Sequence, residues 1–388
     1  MPVNRRIFLK SSAIAAMPAF LPITSSFANE SHNRVADNSI IKFFGDGEMF
    51  EPGEYINELQ KAHAANAIVR DRYGQGGVVE ALEKKFVEIT GKEKAIYMPS
   101  GTMANQFAIT TLCGENTKIF VQDTSHVYRD EADAAQSIFG KRLMPLAKDE
   151  TFFTALQLRE AIASLPQQEV FKSGVGAVSI ENPVRRASER IVPIEEIKEI
   201  SSYCRSNSIG LHLDGARLYM ASAWSGVSIK EYCSYFDTVY ISLYKYFGAA
   251  GGAILCGEKR LIDKMPHLIK IHGGNMYSNW TNAAMALYRI EGFEKRLQDA
   301  IQQANELFSA LNKTKFFKIS PLGGGTNIYS MELAREIDAK KMQEKLRTAY
   351  GIRIGLPNDK NMGQLTVNET ILYHPVDYII NAFKKSIN

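Results

Sequence analysis

Cysteine is scarce in this chain. The four present in 388 residues, Cys113, Cys204, Cys233 and Cys256, are scattered and share no metal-type spacing. That excludes a disulfide-stapled small scaffold and gives no reason to expect a bound metal, while a chain this long buries a core without bridges. The four are therefore expected as buried thiols. Charge of one sign is also lacking: 46 Lys and Arg against 42 Asp and Glu give a formal +4. Arg5, Arg6 and Lys10 lie in residues 1–28, which hold no acid, so the rest of the chain is +1 (4 minus 3). No basic stripe interleaved with aromatics is present, which argues against a nucleic-acid partner. Long apolar runs are missing too. The stretch Ala13 to Ile23 is broken by Pro18 and Pro22 and is too short to remain in a bilayer as a helix. There is no low-complexity tract and no internal repeat, which excludes a solenoid or a disordered tail.

What remains is globular in composition, 45% hydrophobic and 23% charged. The start has its own pattern. Asn4-Arg-Arg-Ile-Phe-Leu-Lys10 precedes the short apolar stretch, and Ser26-Phe27-Ala28 follows as a small-x-small cleavage pattern. Residues 1–28 thus read as a twin-arginine export signal, with the periplasm as destination and no stable membrane span after its removal. That route carries folded proteins, so a cofactor can be loaded before transport.

Beyond the leader, strand-like and helix-like segments alternate. Val79, Leu82, Phe86 and Ile89 recur at helical spacing, and Pro193 opens a helix with Ile194, Ile197 and Ile200. Short apolar segments at 94–98, 118–121, 174–180, 210–213, 238–243 and 252–256 read as strands. This alternation predicts a largely parallel sheet covered on both faces, an α/β architecture. From residue 297 the pattern becomes helix, Phe316-Phe-Lys-Ile, a Gly323-Gly-Gly turn, Thr326-Asn-Ile-Tyr, and further helices. The expected organisation is an arm and large domain over 29–296 and a small α+β domain over 297–388.

In such sheets ligands bind beyond the carboxyl ends of the strands. Three chemically distinctive residues fall there: Ser100, Asp214 in His212-Leu-Asp-Gly-Ala-Arg217, and Lys245 in Ser242-Leu-Tyr-Lys-Tyr-Phe-Gly. A lysine ending one strand and an aspartate ending its neighbour is the pair that pyridoxal phosphate (PLP) chemistry needs. The amine condenses with the cofactor's aldehyde, and the carboxylate keeps the pyridine nitrogen protonated. Met98-Pro-Ser-Gly-Thr-Met-Ala-Asn105 runs from a strand through small residues into a helix. Its backbone N–H groups, with the Ser100 and Thr102 hydroxyls, suit a phosphate dianion. His126 follows the strand at 118–121 and is placed to stack on the ring or move protons. Asn182 ends another strand and is a candidate partner for the cofactor's phenolic oxygen. Arg217, one turn past Asp214, is a candidate for the same oxygen or for the phosphate.

The chain resembles the threonine aldolase and β-eliminating lyase family of PLP enzymes. The resemblance rests on Asp71-Arg-Tyr-Gly-Gln with Val79-Glu-Ala-Leu-Glu, Pro99-Ser-Gly-Thr-Met-Ala-Asn, Ser125-His-Val-Tyr with Glu131-Ala, Glu181-Asn182, His212-Leu-Asp-Gly-Ala-Arg-Leu, Ser242-Leu-Tyr-Lys with Gly248, and Gly273-Gly-Asn-Met. It implies the type I (aspartate aminotransferase) fold with a mostly parallel seven-stranded sheet. It implies Lys245 as Schiff-base lysine, Asp214 as pyridinium partner, His126 as the stacked histidine, and Gly101 and Thr102 as phosphate ligands. It also implies a homodimer or homotetramer acting on a small amino acid or amine, by Cα–Cβ cleavage of a β-hydroxy-α-amino acid to glycine and an aldehyde. Where the family usually places substrate-carboxylate arginines, this chain has Tyr277 and Gln364, and its early Arg-Ser-Asp-Thr stretch appears as Phe44-Gly-Asp-Gly. Arg185 is the foremost replacement among Arg185, Arg186 and Arg353. The departures leave open β-elimination, transamination or decarboxylation of an exported metabolite, or a scaffold without turnover.

Overall fold

The computed structural model of the protein describes residues 40–387. The export signal read over 1–28 lies outside the described residues.

Seven strands form the central sheet in the order Lys94–Met98, Ala253–Gly257, Thr238–Ser242, Gly210–Asp214, Val175–Glu181, Lys118–Gln122, Arg142–Leu146. Ala253–Gly257 pairs antiparallel with both its neighbours, and the remaining pairings are parallel, so it alone runs against the other six. Its entry, Gly251-Gly252, therefore lies at the same end of the sheet as the exits of the other strands. Three of the strands are buried along their whole length, and Gly210–Asp214 at all but its first residue, as expected of a sheet covered on both faces. The exceptions are informative. Arg142–Leu146 is an edge strand with exposed positions and Pro145 inside it, and the sequence reading did not identify it as a strand. Proline lacks a ladder donor, but an edge strand can spare one.

The helix Gly77–Thr90 buries Val78, Val79, Leu82 and Phe86, and Ile194–Ser206 buries Ile197 and Ile200, as their periodicity predicts. The apolar residues after Lys245 anchor its loop. Tyr246 and Phe247 are fully buried. Tyr246 stacks on Phe293 at 5.6 Å, and the Phe247 and Tyr219 rings meet edge-to-face at 5.1 Å. Aromatic pairs of this kind add about 0.5–1.5 kcal/mol each beyond burial, so the lysine stands on a fixed base.

A second core lies under a three-stranded antiparallel sheet, Met362–Thr366, Ile328–Leu333, Phe317–Pro321, packed with the helices Phe293–Asn312, Ala339–Tyr350 and Val376–Ser386. The helix Phe293–Asn312 runs through position 297. Its Phe293 and Leu297 belong to the large core, whereas Ala300, Ala304, Leu307 and Leu311 belong to the second. Ile41–Lys42 pairs in parallel with Ile352–Arg353, and Ile41 and Phe43 join the second core. The early segment thus crosses to the carboxy-terminal core, which the division at 296/297 did not foresee. All four cysteines are free and buried. Among the described residues no helix is long and apolar enough to cross a membrane.

Candidate active site

A cavity of about 310 Å³ opens at the carboxyl end of the sheet, lined by Ser100, Gly101, Thr102, His126, Asp214 and Lys245 together with Asp130, Glu181, Tyr244 and Gly251-Gly252. Six of the residues singled out in the sequence thus meet in one place.

The phosphate candidate is the start of the helix Gly101–Cys113. Ser100 is its N-cap, its Oγ accepting from the Met103 N–H at 3.2 Å. The first turn carries no acid, so its amides and the helix dipole present positive character to the cavity. Gly101 is required here by contact: a Cβ would stand 2.0 Å from the Tyr240 hydroxyl oxygen. The small residues keep a cradle open, as a phosphate group needs.

Lys245 is partly buried, and its Nζ makes no hydrogen bond or ion pair among the described residues; the Tyr244 ring centroid lies 5.9 Å away. Burial lowers its pKa, and the nearby Arg217 charge adds to the effect. The lowered pKa moves the amine toward the free base, the nucleophile that an aldehyde cofactor needs. Asp214 is held rigidly. Its Oδ1 accepts from the Ala216 N–H at 3.2 Å and its Oδ2 from Asn105 Nδ2 at 2.8 Å. Asn105 Oδ1 in turn faces His212 Nε2 at 3.0 Å, and His212 Nδ1 meets Thr238 Oγ1 at 2.9 Å. Burial drives the His212 pKa down to about 4, so it stays neutral. The carboxylate is thus oriented from behind by a neutral hydrogen-bonded chain.

His126 presents Nδ1 to Glu131 Oε1 at 2.9 Å, which raises its pKa. Glu131 also accepts from Asn105 at 2.8 Å, so His126 and Asp214 share one network. With Nδ1 engaged by a carboxylate, Nε2 is the nitrogen left to exchange protons. Glu181 accepts from the N–H groups of His126 and Arg185, at 2.7 and 2.9 Å. Burial, and then the Asp214 charge, raise its pKa. His126, Glu131 and Asp214 place ligand atoms within 4.8 Å of one another, but these atoms are already engaged, His126 with Glu131, and Glu131 and Asp214 each with Asn105.

The other singled-out residues do not line the cavity. Asn182 is fully buried, and its Oδ1 accepts from the Val192 N–H at 2.8 Å. It braces the loop after its strand, and Glu181, one position earlier, faces the cavity in its place because successive strand residues point to opposite faces. Arg217 is turned away into an ion cluster, its Nε 2.8 Å from Asp46 Oδ2 and 2.9 Å from Glu189 Oε1. Arg185 is half exposed and pairs with Asp130 at 3.3 Å. Tyr277 is 53% exposed and packs edge-to-face on Tyr73 at 5.3 Å, near a different cavity. Gln364 sits on an exposed position of the carboxy-terminal sheet beside Phe43 and Phe44.

Sequence reasoning missed Asn105, Glu131 and His212 as supports, although all three lie inside the quoted motifs. It also missed Glu181, Asp46 and Glu189. His212 and Asp214 share a sheet face by strand alternation, and that was the available signal.

The fold and this donor set define a type I PLP-dependent α/β enzyme. A solved structure of SPT with PLP shares the fold, with a TM-score of 0.61 at 14% identity over 89% of this chain and 86% of that one. Residues 55–334 match the beta-eliminating lyase family, and the chain belongs to it. A low-specificity L-threonine aldolase of Candida albicans is 32% identical over 276 residues, 70% of this chain and 72% of that protein. A structure described as a putative L-allo-threonine aldolase from Listeria monocytogenes matches with a TM-score of 0.73 at 25% identity, covering 90% of this chain and 96% of that one. PLP is the cofactor, and the protein is a carbon–carbon lyase of the threonine aldolase type.

Proposed function

We propose that the enzyme cleaves the Cα–Cβ bond of a β-hydroxy-α-amino acid, releasing an aldehyde and the corresponding glycine unit. The observation that carries this reading is the meeting of Lys245, Asp214 and His126 around one cavity, with His126 held at Nδ1 by Glu131. The cofactor, when bound, supplies an electron sink for the pair left on the α-carbon. Lys245 would hold it covalently. Ser100, Gly101 and Thr102 would hold its phosphate, and Asp214, kept in place by Asn105, would keep its ring nitrogen protonated. His126 takes the substrate's hydroxyl proton at Nε2, and Glu131 stabilises the imidazolium that forms.

The test is product analysis with a panel of β-hydroxy amino acids and their carboxyl derivatives. Equal yields of aldehyde and amine are expected, abolished by Lys245→Ala, with borohydride reduction attaching the cofactor to Lys245 in the unaltered enzyme. Release of ammonia and a keto product instead would assign elimination and overturn the reading.

The resemblance supports a homodimer or homotetramer as the working assembly. Arg5-Arg6, the short apolar stretch and Ser26-Phe27-Ala28 support folded export to the periplasm. Changing Arg5 and Arg6 to lysine is expected to leave the loaded enzyme in the cytoplasmic fraction; unchanged export would remove the twin-arginine assignment.

A further inference from the structure

The arginines around the cavity are already paired. Arg185 and Arg186 both hold Asp130, the latter through Nε at 2.9 Å and Nη2 at 2.5 Å. Arg217 is held from two sides by Asp46 and Glu189. No arginine lines the cavity among the described residues. A substrate carboxylate is normally clamped by a free guanidinium fork, and such a fork is missing here.

The Glu189 position is a built one. Its residue is 5% exposed, and its Oε2 has no hydrogen-bond partner. Its backbone lies at φ +56°, directly after Ser188 at φ +53°. Two consecutive side-chain-bearing residues in the left-handed region cost about 1 kcal/mol or more each unless the surroundings enforce them. Here the Glu189 N–H donates to the Val184 carbonyl at 2.9 Å, and the Thr326 hydroxyl donates to the Glu189 carbonyl at 2.9 Å. The strained turn delivers one carboxylate to Arg217. Asp46 arrives on a segment pressed against the lysine loop: a Cβ on Gly47 would lie 2.8 Å from the Tyr246 Cα. The cluster is therefore beside Lys245.

We propose that Glu189 is a specificity-determining residue. It occupies, from within the protein, the guanidinium face that a substrate carboxylate would take, so the site selects β-hydroxy amines whose α-carboxyl is masked as an amide or ester. The inference rests on the aldol-cleavage reading and narrows its substrate class. The charges agree with it. Asp130, Glu181 and Asp214 line the cavity with His126 and Lys245, and Asp46 and Glu189 hold Arg217, so a further carboxylate enters a site already lined by acids. Burial and the Asp46 charge raise the Glu189 pKa; with or without its proton, the side chain fills the place.

The experiment is equilibrium binding to the PLP-loaded enzyme, read from the cofactor's absorbance, with glycine and glycinamide as probes. The unaltered enzyme is expected to bind glycinamide at least tenfold tighter than glycine. Glu189→Gly, which takes the side chain away from Arg217 and relieves the backbone, is expected to lower that ratio at least tenfold, whereas Glu189→Gln, which keeps the shape, is expected to leave it nearer the unaltered value. A ratio near or below one in the unaltered enzyme, or a ratio unchanged in Glu189→Gly, overturns the proposal. The readout needs no turnover. If no β-hydroxy amine releases an aldehyde while the ratio behaves as expected, the cleavage reading fails and the Glu189 assignment stands.

Discussion

His126 and Glu131 set the protonation state of the site's proton carrier. The Glu131 hydrogen bond is the largest influence on the His126 pKa and raises it above the ordinary imidazole value of 6.5. If the neutral ring accepts the substrate's hydroxyl proton, kcat/KM rises with pH through that raised pKa, so its acid limb lies above 6.5. Glu131→Gln removes the charge but keeps an oxygen to accept from Asn105, so Asp214 stays oriented. The limb is expected to move to lower pH, with a smaller kcat. A pH profile of kcat/KM for both proteins checks this; a limb that does not move would remove His126 from the base role. The same shift has a stability consequence. A histidine whose pKa is raised on folding contributes fully below its unfolded value, and the contribution fades as pH rises through the folded one.

The elements show which parts of this structure were legible in the sequence. Strands buried on both faces read as short apolar runs, and the residues at their ends read as chemistry, because sheet topology puts the carboxyl ends of six of the seven strands on one side. Lys245, Asp214, His126 and the turn at Ser100 to Thr102 were found that way. Arg142–Leu146 was not, since an edge strand carrying Pro145 has neither the apolar run nor the donor pattern of its neighbours. The helix Phe293–Asn312 concealed its double role for a different reason: one continuous apolar face serves two cores. Arg217 was expected at the cofactor because it lies one turn past Asp214. Its actual partners, Asp46 and Glu189, come from distant segments, one on a glycine-flanked turn and one on a turn with positive φ at non-glycine residues. Propensity assigns such backbone to glycine, so nothing local in Ser188-Glu189 announces it. Substrate selection in this enzyme is thus written in tertiary ion pairing, whereas cofactor binding is written in contiguous motifs.

At the scale of the whole molecule, a second cavity marks where another copy is expected to sit. It has a volume of about 380 Å³, and Tyr73, Met276 and Ile269 are in its lining. Tyr73, Met276 and Tyr277 are 52%, 53% and 53% exposed. They are nevertheless ordered against each other: the Tyr73 N–H donates to the Tyr277 carbonyl at 2.8 Å, and their rings meet at 85°. Lys270 lies over the Tyr73 ring at 5.8 Å. Large side chains fixed in place yet half in water are the mark of a contact surface rather than of a loose loop. Within the cavity, Glu83 has its pKa raised to about 7 by burial, so covering the mouth does not bury a full carboxylate charge below neutral pH. Tyr277 stands where the family usually places a substrate arginine, although within one chain it does not line the cavity that holds Lys245. A dimer built on this face would cover that segment. The expected outcome is a dimeric mass by light scattering at micromolar concentration, with Met276→Lys shifting it toward monomer. Burying one such side chain is worth about 1.5–3 kcal/mol, so the dissociation constant should rise roughly ten- to a hundredfold, because each 1.4 kcal/mol is a factor of ten. The monomer should retain the cofactor on Lys245 but lose turnover if the partner's Tyr277 segment completes the substrate site. A dimer unmoved by Met276→Lys would place the interface elsewhere, and a fully active monomer would show that one chain's cavity is sufficient.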